Sequence, residues 1–185
     1  MEIHMKIAVY CASGAGNRKE YVEAAEKIGK WIGENGHELV YGGSNCGLMG
    51  AVADAVLAEG GRVTGVVPDV PLIQARKHIG LTECIETADM AERRKLMMDL
   101  SDGYIALPGG PGTLDELSEI LCMQRLELVK KPMVLYDQEG FYEPLKELFA
   151  NMRNAGFAEE RDFRYILISE DMKEIANFLQ SVLKR

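Results

Sequence analysis

The sequence predicts an α/β fold, a Rossmann-like doubly wound parallel sheet with helices on both faces. Short, often β-branched apolar runs alternate with longer segments of helical periodicity along the chain. The short runs are apolar nearly throughout, which is typical of parallel strands buried on both faces. Strict alternation of such strands with helices therefore predicts the doubly wound arrangement.

The pattern predicts seven strands and six helices. Strands are expected at residues 7–11, 38–41, 63–67, 81–86, 104–107, 133–136 and 165–168. Helices are expected at residues 20–35, 48–58, 90–100, 114–129, 142–154 and 171–183. The first helix is the clearest, because its apolar residues follow a helical spacing and a glycine ends it. These residues are Val22, Ala25, Ile28, Ile32 and Gly36.

A length of 185 residues suits one domain with a full hydrophobic core, so we interpret residues 1–185 as a single Rossmann-like domain. The first convincing element begins at Lys6, and residues 1–5 are interpreted as a cloning or alternative-start remnant. No run approaches the roughly 18 apolar residues of a membrane span, and no secretory signal is present. We expect a cytoplasmic protein without a membrane partner.

The charge and the cysteines narrow the classes of partner. Acidic residues outnumber basic ones by 29 to 21, a formal charge of -8, so no nucleic-acid partner is expected and an anionic ligand must be held by local groups. Cys11, Cys46, Cys84 and Cys122 lie far apart and form no CxxC pair. Scattered reduced thiols are therefore expected, and no metal site.

Three strand-to-helix turns are rich in small residues, and such turns carry the ligand sites of doubly wound sheets. They comprise residues 11–17, 42–47 and 108–113. Glycine allows positive φ and close approach of a ligand, and a helix N-terminus offers unpaired N–H groups to an anion. The turns can thus bind phosphate without lysine. They lack the full dinucleotide pattern and the P-loop Gly-Lys-Ser/Thr, which argues against NAD oxidoreductases and ATPases.

Two side-chain groups have both a structural and a functional interpretation. Thr113 and Glu116 form the Thr-x-x-Glu sequence of a capping box, yet the same carboxylate would lie at the mouth of the crevice. On the preceding helix, an arginine pair shares one face with two methionines, and one arginine could face the site. The alternative is a solvated helix with snorkelling arginines and a core-facing methionine stripe. These four residues are Met90, Arg93, Arg94 and Met97.

The segment PGGPGTLDE, residues 108–116, resembles the PGGxGTxxE signature of the LOG ("Lonely Guy") family. Residues 42–50, GGSNCGLMG, are similar to the GGxxxGLMG of that family, and the resemblance covers nearly the whole chain. The family comprises cytokinin riboside 5'-monophosphate phosphoribohydrolases, older members of which were often labelled lysine decarboxylases. The resemblance also implies a homodimer with residues from both subunits around the site.

The resemblance implies that Glu116 is the catalytic glutamate and Arg93 the catalytic arginine of the helix motif. Arg94 then takes the place of the family's lysine; reading Arg94 and Lys95 as the Arg-Lys pair instead requires a one-residue gap before the loop. Ser13 lies in a turn that resembles the family's CGSxPGN. The implied nucleotide- and phosphate-binding residues are Ser13, Gly43, Gly47, Met49, Met90, Arg94, Pro108, Gly109, Gly110, Gly112 and Thr113.

The implied reaction is hydrolysis of the N-glycosidic bond of a purine nucleoside 5'-monophosphate, giving free base and ribose 5-phosphate without a metal or redox cofactor. A carboxylate near C1' would stabilise the oxocarbenium-like state or help to activate water. The main alternative is a non-catalytic nucleotide carrier, such as a molybdenum-cofactor carrier protein. Pyridoxal phosphate chemistry is disfavoured, because no lysine lies at the three turns.

Overall fold

The computed structural model describes residues 4–183, which form a seven-stranded sheet flanked by helices. The strands are β1 (Lys6–Tyr10), β2 (Glu38–Tyr41), β3 (Arg62–Pro68), β4 (Glu83–Thr87), β5 (Gly103–Ala106), β6 (Met133–Tyr136) and β7 (Ile166–Ser169). The helices are α1 (Lys19–Glu34), α2 (Gly47–Ala58), α3 (Pro71–Gln74), α4 (Met90–Leu100), α5 (Pro111–Arg125), α6 (Glu143–Asn154) and α7 (Met172–Leu183). Short 3₁₀ helices span Gln138–Gly140 and Glu160–Phe163.

The sheet is parallel throughout, with the strand order β4-β3-β2-β1-β5-β6-β7. The chain winds outward from β1 to β4, then crosses back to β5 and winds outward to β7 on the other side. The predicted doubly wound, Rossmann-like fold is confirmed. The winding direction reverses between β1 and β5, and the carboxyl ends of these strands flank the crevice where such sheets bind ligands.

Alternate residues of each strand divide the core between the two faces of the sheet. In β1, Ile7 and Val9 pack with α1, α2 and α7, whereas Ala8 and Tyr10 pack with α4, α5 and α6. All four side chains are at most 2% exposed. Burial on both faces explains why the strands are apolar at consecutive positions.

Helix α5 begins at Pro111, three residues before the predicted start at residue 114. Proline suits the first helical position, because its fixed φ is helical and its missing N–H would have no helical partner there. Gly110 is the N-cap, and no side chain caps it. Thr113 and Glu116 therefore lie inside the helix, and the capping-box interpretation of this pair is wrong.

The same helix ends at Arg125 rather than at residue 129. The Leu128 amide donates to the Met123 carbonyl at 3.0 Å and the Glu127 amide to the Gln124 carbonyl at 3.1 Å, the two bonds of a Schellman termination. Glu127 has the positive φ of 60° that glycine usually adopts at this point. Because the residue is a glutamate, the sequence carries no visible stop signal.

Two other regions differ from the prediction. Helix α3 was not predicted, although Pro71 opens it as proline opens α5. Strand β4 begins at Glu83 rather than at residue 81 and is a largely exposed edge strand. Met5, in the segment interpreted as a remnant, is fully buried in the core, and its carbonyl accepts a hydrogen bond from the Glu38 amide. Residues 1–3 lie outside the described part of the chain.

Helices α1 and α2 pack closely because α1 has a glycine at the contact. A Cβ on Gly29 would lie 2.4 Å from the Val52 carbonyl oxygen and 2.7 Å from the Cβ of Ala55, both in α2. The carbonyl is part of the helix backbone and cannot rotate away. Any side chain at position 29 must therefore push the two helices apart.

We expect Gly29→Ala to lower the free energy of unfolding by about 1–3 kcal/mol, since overpacking outweighs the gain in helix propensity. Urea denaturation followed by circular dichroism measures the change. Gly14→Ala is the matched control, because a Cβ there would meet nothing within 4 Å. Equal stability of the two variants would contradict the proposed close contact of the helices.

Candidate active site

A cavity of about 460 Å³ lies beyond the carboxyl ends of β1, β2 and β5. Cys11, Gly42 and Gly110, which follow these strands, contribute to its lining together with residues of α3, α4 and α5. The volume falls within the roughly 300–1,000 Å³ of small-molecule sites. The cavity therefore occupies the position at which a doubly wound sheet binds its ligand.

Backbone hydrogen bonds connect the three glycine-rich turns. The Ala12 amide donates to the Pro108 carbonyl at 3.4 Å, which joins the first turn to the third. The amides of Leu48 and Met49 donate to the carbonyls of Gly14 and Ala12, each at 3.3 Å, which joins the second turn to the first. The amides of Leu48 and Met49, at the start of α2, thus bind protein rather than ligand. These two amides are therefore not available to a phosphate.

Gly47 allows the first and second turns to approach each other. Its φ is +56°, and a Cβ there would lie 2.5 Å from the backbone carbonyl groups of Ser13 and Gly14. A side chain at this position would separate the turns and break the bonds between them. The glycine is thus required for building the cavity wall.

The N-terminus of α5 faces the cavity with amides that have no hydrogen-bond acceptor among the described residues. Gly110, Gly112 and Thr113 line the cavity, and the first i→i−4 bond of the helix is the one from Leu114 to Gly110, at 3.1 Å. The amides of Gly112 and Thr113 precede that bond, and Pro111 has no N–H. Two backbone donors and the positive end of the helix dipole are therefore available to an anion.

Arg93 is held at the floor of the cavity by two acceptors. The Asp89 carboxylate caps α4 by accepting from the amides of Ala91 and Glu92, which sets the start of the helix at Met90. From this helix Arg93 donates through Nε to the Val66 carbonyl at 3.1 Å and through Nη1 to Glu116 Oε1 at 3.3 Å. The residue is 7% exposed.

Gly42 provides the space for this guanidinium. A Cβ on Gly42 would lie 1.7 Å from Nη2 of Arg93 and 2.5 Å from Cε of Met49. Arg93 has little freedom to move aside, because both of its bonded nitrogens are fixed. Arg93 can therefore reach Glu116 only because Gly42, the residue beside its guanidinium, has no side chain.

Glu116 projects from α5 into the cavity beside Arg93, and its side chain is 11% exposed. Burial raises the pKa of Glu116 from 4.5 to about 7, although the neighbouring Arg93 lowers it. Asp115 and Glu119 raise this pKa further, and Arg94 lowers it. The carboxyl group can thus gain or lose a proton near neutral pH, as an acid or base in a hydrolytic reaction must.

Arg94 binds the other two carboxylates of α5. Its Nε lies 2.8 Å from Glu119 Oε2, and its Nη1 lies 3.2 Å from Asp115 Oδ2. Arg93, rather than Arg94, is therefore the arginine that contacts Glu116. This placement agrees with the alignment in which Arg93 is the first residue of the arginine pair.

The remaining lining is largely apolar. Met49, Leu72, Ile73 and Met90 contribute apolar side chains to the cavity. Burial, with a smaller effect of Glu116, raises the pKa of the Cys11 thiol, so this thiol is neutral at physiological pH. The surface suits a flat, weakly polar group such as a purine base.

Residues 49–179 match a protein family described as possible lysine decarboxylase. The cytokinin riboside 5'-monophosphate phosphoribohydrolase of Rhodococcoides fascians is 37% identical over 168 residues, which cover 90% of this chain and 85% of the relative. The enzyme of that activity named LOG in Oryza sativa subsp. japonica is 40% identical over 164 residues, covering 89% and 67% of the two chains.

The chain belongs to the LOG family. Its fold also matches the molybdenum cofactor carrier protein of Chlamydomonas reinhardtii, with a TM-score of 0.74 and coverage of 99% of this chain and 100% of that one. The sequence identity of 22% makes this a likeness of fold alone.

The residues implied by membership of the LOG family divide into two groups in the structure. The first group lines the cavity and comprises Ser13, Met49, Met90, Arg93, Arg94, Gly110, Gly112, Thr113 and Glu116. The second group does not line the cavity and comprises Gly43, Gly47, Pro108 and Gly109. Gly43 and Pro108 accept backbone hydrogen bonds, and Gly109 makes room for Thr113, whose Oγ1 would lie 2.2 Å from a Cβ there.

Sequence reasoning missed the wall that follows β3. Leu72, Ile73 and Arg76 line the cavity from α3 and the loop after it, and Ser44 and Asp115 were also missed as lining residues. Pro71, a signal for a helix start, could have indicated α3. No pattern could indicate that this short helix faces the glycine-rich turns, because that depends on the packing of β3 beside β2.

The raised pKa of Glu116 predicts a specific dependence of stability on pH. The folded protein retains a proton that the unfolded chain releases between pH 4.5 and about 7, so the free energy of unfolding falls as pH rises through this window. Glu116→Gln removes the titration. Relative to wild type, its free energy of unfolding should rise by up to roughly 3 kcal/mol between pH 4.5 and 8.

Urea denaturation at several pH values measures this difference. Glu26→Gln on α1 is the control for the loss of one carboxylate at an exposed position. A constant difference between Glu116→Gln and wild type across the window would contradict the assigned environment of Glu116.

Proposed function

We propose that this protein is a hydrolase that cleaves the N-glycosidic bond of purine or cytokinin nucleoside 5'-monophosphates. The products are the free base and ribose 5-phosphate. The observation that carries the proposal is the buried pair of Arg93 and Glu116 on the cavity floor, 3.3 Å apart, with the Glu116 pKa raised to about 7. The relatives named phosphoribohydrolases support the same reaction.

The phosphate binds at the N-terminus of α5. The amides of Gly112 and Thr113 donate to its oxygens, and the helix dipole favours its charge. The base lies against the apolar surface that includes Met49 and Met90. Anchoring at both ends places C1' of the ribose above Glu116 and reduces the entropy that must be lost in the transition state.

Glu116 acts in its ionised form. As the bond between C1' and the base nitrogen breaks, its electron pair leaves with the base and positive charge develops on the ribose. The carboxylate stabilises that charge and accepts a proton from the water that attacks C1', while the departing base takes a proton from solvent. Arg93 orients the carboxylate and keeps part of the Glu116 population ionised at neutral pH.

Two alternatives have weaker support. Decarboxylation with pyridoxal phosphate requires a Schiff-base lysine, and no lysine lines the cavity within the described residues. Lys77 and Lys95 instead pair with Glu86 and Asp99. A carrier function is suggested by the fold of the molybdenum cofactor carrier protein, but this likeness concerns fold alone.

Incubation with AMP and with isopentenyladenosine monophosphate, followed by chromatography of the products, tests the proposal. Wild type should release free base, and Glu116→Gln should lose at least roughly 100-fold in kcat with AMP binding retained. Because the ionised form of Glu116 is the catalytically active one, kcat/KM should rise with pH and level off above about pH 7. Tight AMP binding without base release in wild type would instead support the carrier.

We further propose that the protein forms a homodimer through the outer face of α5. Leu121 and Cys122 of this helix line a groove with Phe157, which is 75% exposed. Leu114, on the first turn of α5, is 53% exposed beside the cavity. Exposed apolar side chains of this kind are typical of an interface, and an interface that includes Leu114 would bring the second subunit close to the active site.

Light scattering after gel filtration tests the dimer. Wild type should elute as a dimer, and Phe157→Ser should shift it to a monomer, since a polar side chain at the groove removes apolar contact area. Ile79→Ser is the matched control, because Ile79 is fully exposed and lines none of the described grooves around α5. A dimer that survives Phe157→Ser would place the interface elsewhere.

We infer a cytosolic location from the thiols. Cys11, Cys46, Cys84 and Cys122 are all free, as expected for a reducing compartment. No helix within residues 4–183 has both the length and the apolar character needed to span a bilayer.

A further inference from the structure

The charged side chains of α4 and α5 beside the cavity form ion pairs with one another. Nη1 of Arg93 lies 3.3 Å from Oε1 of Glu116. Nη1 of Arg94 lies 3.2 Å from Oδ2 of Asp115, and its Nε lies 2.8 Å from Oε2 of Glu119. With Glu116 ionised, three carboxylates face two guanidinium groups, so this wall carries a net negative charge. A nucleotide whose phosphate is a dianion is repelled by such a wall unless another cation compensates.

Arg76 is the remaining cation among the described residues that line the cavity. The residue is exposed, and within residues 4–183 its guanidinium makes no hydrogen bond or ion pair. Arg93 and Arg94, by contrast, are both bound to carboxylates. The positive charge of Arg76 is therefore available to an incoming ligand.

The backbone fixes Arg76 to the mouth of the cavity. Its carbonyl accepts from the Asn45 amide at 2.9 Å, and its own amide donates to the Ile73 carbonyl at 3.0 Å. The next residue, Lys77, pairs with Ser44 in an isolated antiparallel bridge. Arg76 is thus tied both to α3 and to the second glycine-rich turn, and only its side chain is free to move.

The strand order places Arg76 opposite the helix that binds the phosphate. Arg76 follows β3, and α5 follows β5, and these two strands lie on opposite sides of β1 in the sheet. Residues from both sides line one cavity. A ligand bound at the N-terminus of α5 is therefore enclosed between that helix and the loop of Arg76.

We propose that Arg76 binds the nucleotide phosphate from the wall opposite α5. Its guanidinium donates two hydrogen bonds to phosphate oxygens, while the amides of Gly112 and Thr113 donate to the same phosphate from the other side. This inference rests on the proposed function and adds a phosphate-binding residue to it. Arg76 also accounts for selection of monophosphates over nucleosides, since an unphosphorylated ligand offers this side chain no anion.

Steady-state kinetics with AMP and calorimetric titration with ribose 5-phosphate and with adenine test the role of Arg76. In Arg76→Gln, the KM for AMP and the Kd for ribose 5-phosphate should each rise roughly 10- to 100-fold, with kcat within about threefold of wild type and adenine binding unchanged. Arg76→Lys should restore part of the affinity, because it keeps the charge but not the bidentate geometry.

Arg62→Gln is the matched control, because Arg62 is an exposed arginine at the start of β3, the end of the strand away from the cavity. It should behave as wild type. Added salt should weaken ribose 5-phosphate binding more steeply in wild type than in Arg76→Gln, which a purely structural role of Arg76 would not produce.

Three outcomes would overturn the assignment of Arg76. The first is that Arg76→Gln binds ribose 5-phosphate as tightly as wild type does. The second is that Arg76→Gln weakens the binding of adenine instead of that of ribose 5-phosphate. The third is that wild type does not bind ribose 5-phosphate. If wild type binds ribose 5-phosphate but releases no base from AMP, the proposed hydrolysis is contradicted and the role of Arg76 in phosphate binding is not. In that case, a loss of ribose 5-phosphate binding in Arg76→Gln would still support the role of Arg76.

Discussion

The position of β1 between β2 and β5 is the constraint on which the rest of the site depends. Because all strands run parallel, the chain leaves β1, β2 and β5 at the same edge of the sheet. The turns that follow must then share a small space, and they bind one another through backbone hydrogen bonds. Small residues such as Gly47 are required where the turns meet, since a Cβ there would enter the neighbouring backbone.

This arrangement separates two roles of glycine that look alike in the sequence. The amides of Leu48 and Met49 at the start of α2 donate to the first turn, whereas the amides of Gly112 and Thr113 at the start of α5 have no backbone acceptor among the described residues and face the cavity. Gly42 serves a third purpose, because it leaves room for Arg93 to reach Glu116. Burial then raises the pKa of Glu116 to about 7, although the neighbouring Arg93 lowers it.

Parts of the fold and of the site were predictable because they depend on local signals. The bounds of β2, β6 and α4 agree with the predicted segments at both ends, since each is a continuous apolar or periodic run. The end of α5 was not predictable, because Glu127 occupies the position where glycine normally marks a helix end. Its start was misread because Thr113 and Glu116 imitate a capping box, while Pro111 is the actual opening residue.

The sequence by itself determined the order along the chain of the seven strands and the six longer helices, the glycine-rich turns and the membership of the LOG family. Periodicity, turn residues and motifs are local properties of the chain. Tertiary structure alone decided which of the two neighbouring arginines contacts Glu116, that the Leu48 and Met49 amides bind the first turn, and that Arg76 lines the cavity without a partner within residues 4–183. These outcomes depend on contacts between segments far apart in the chain, such as α4 with α5 and the loop after α3 with the turn after β2. Such contacts arise only when the sheet brings the segments together.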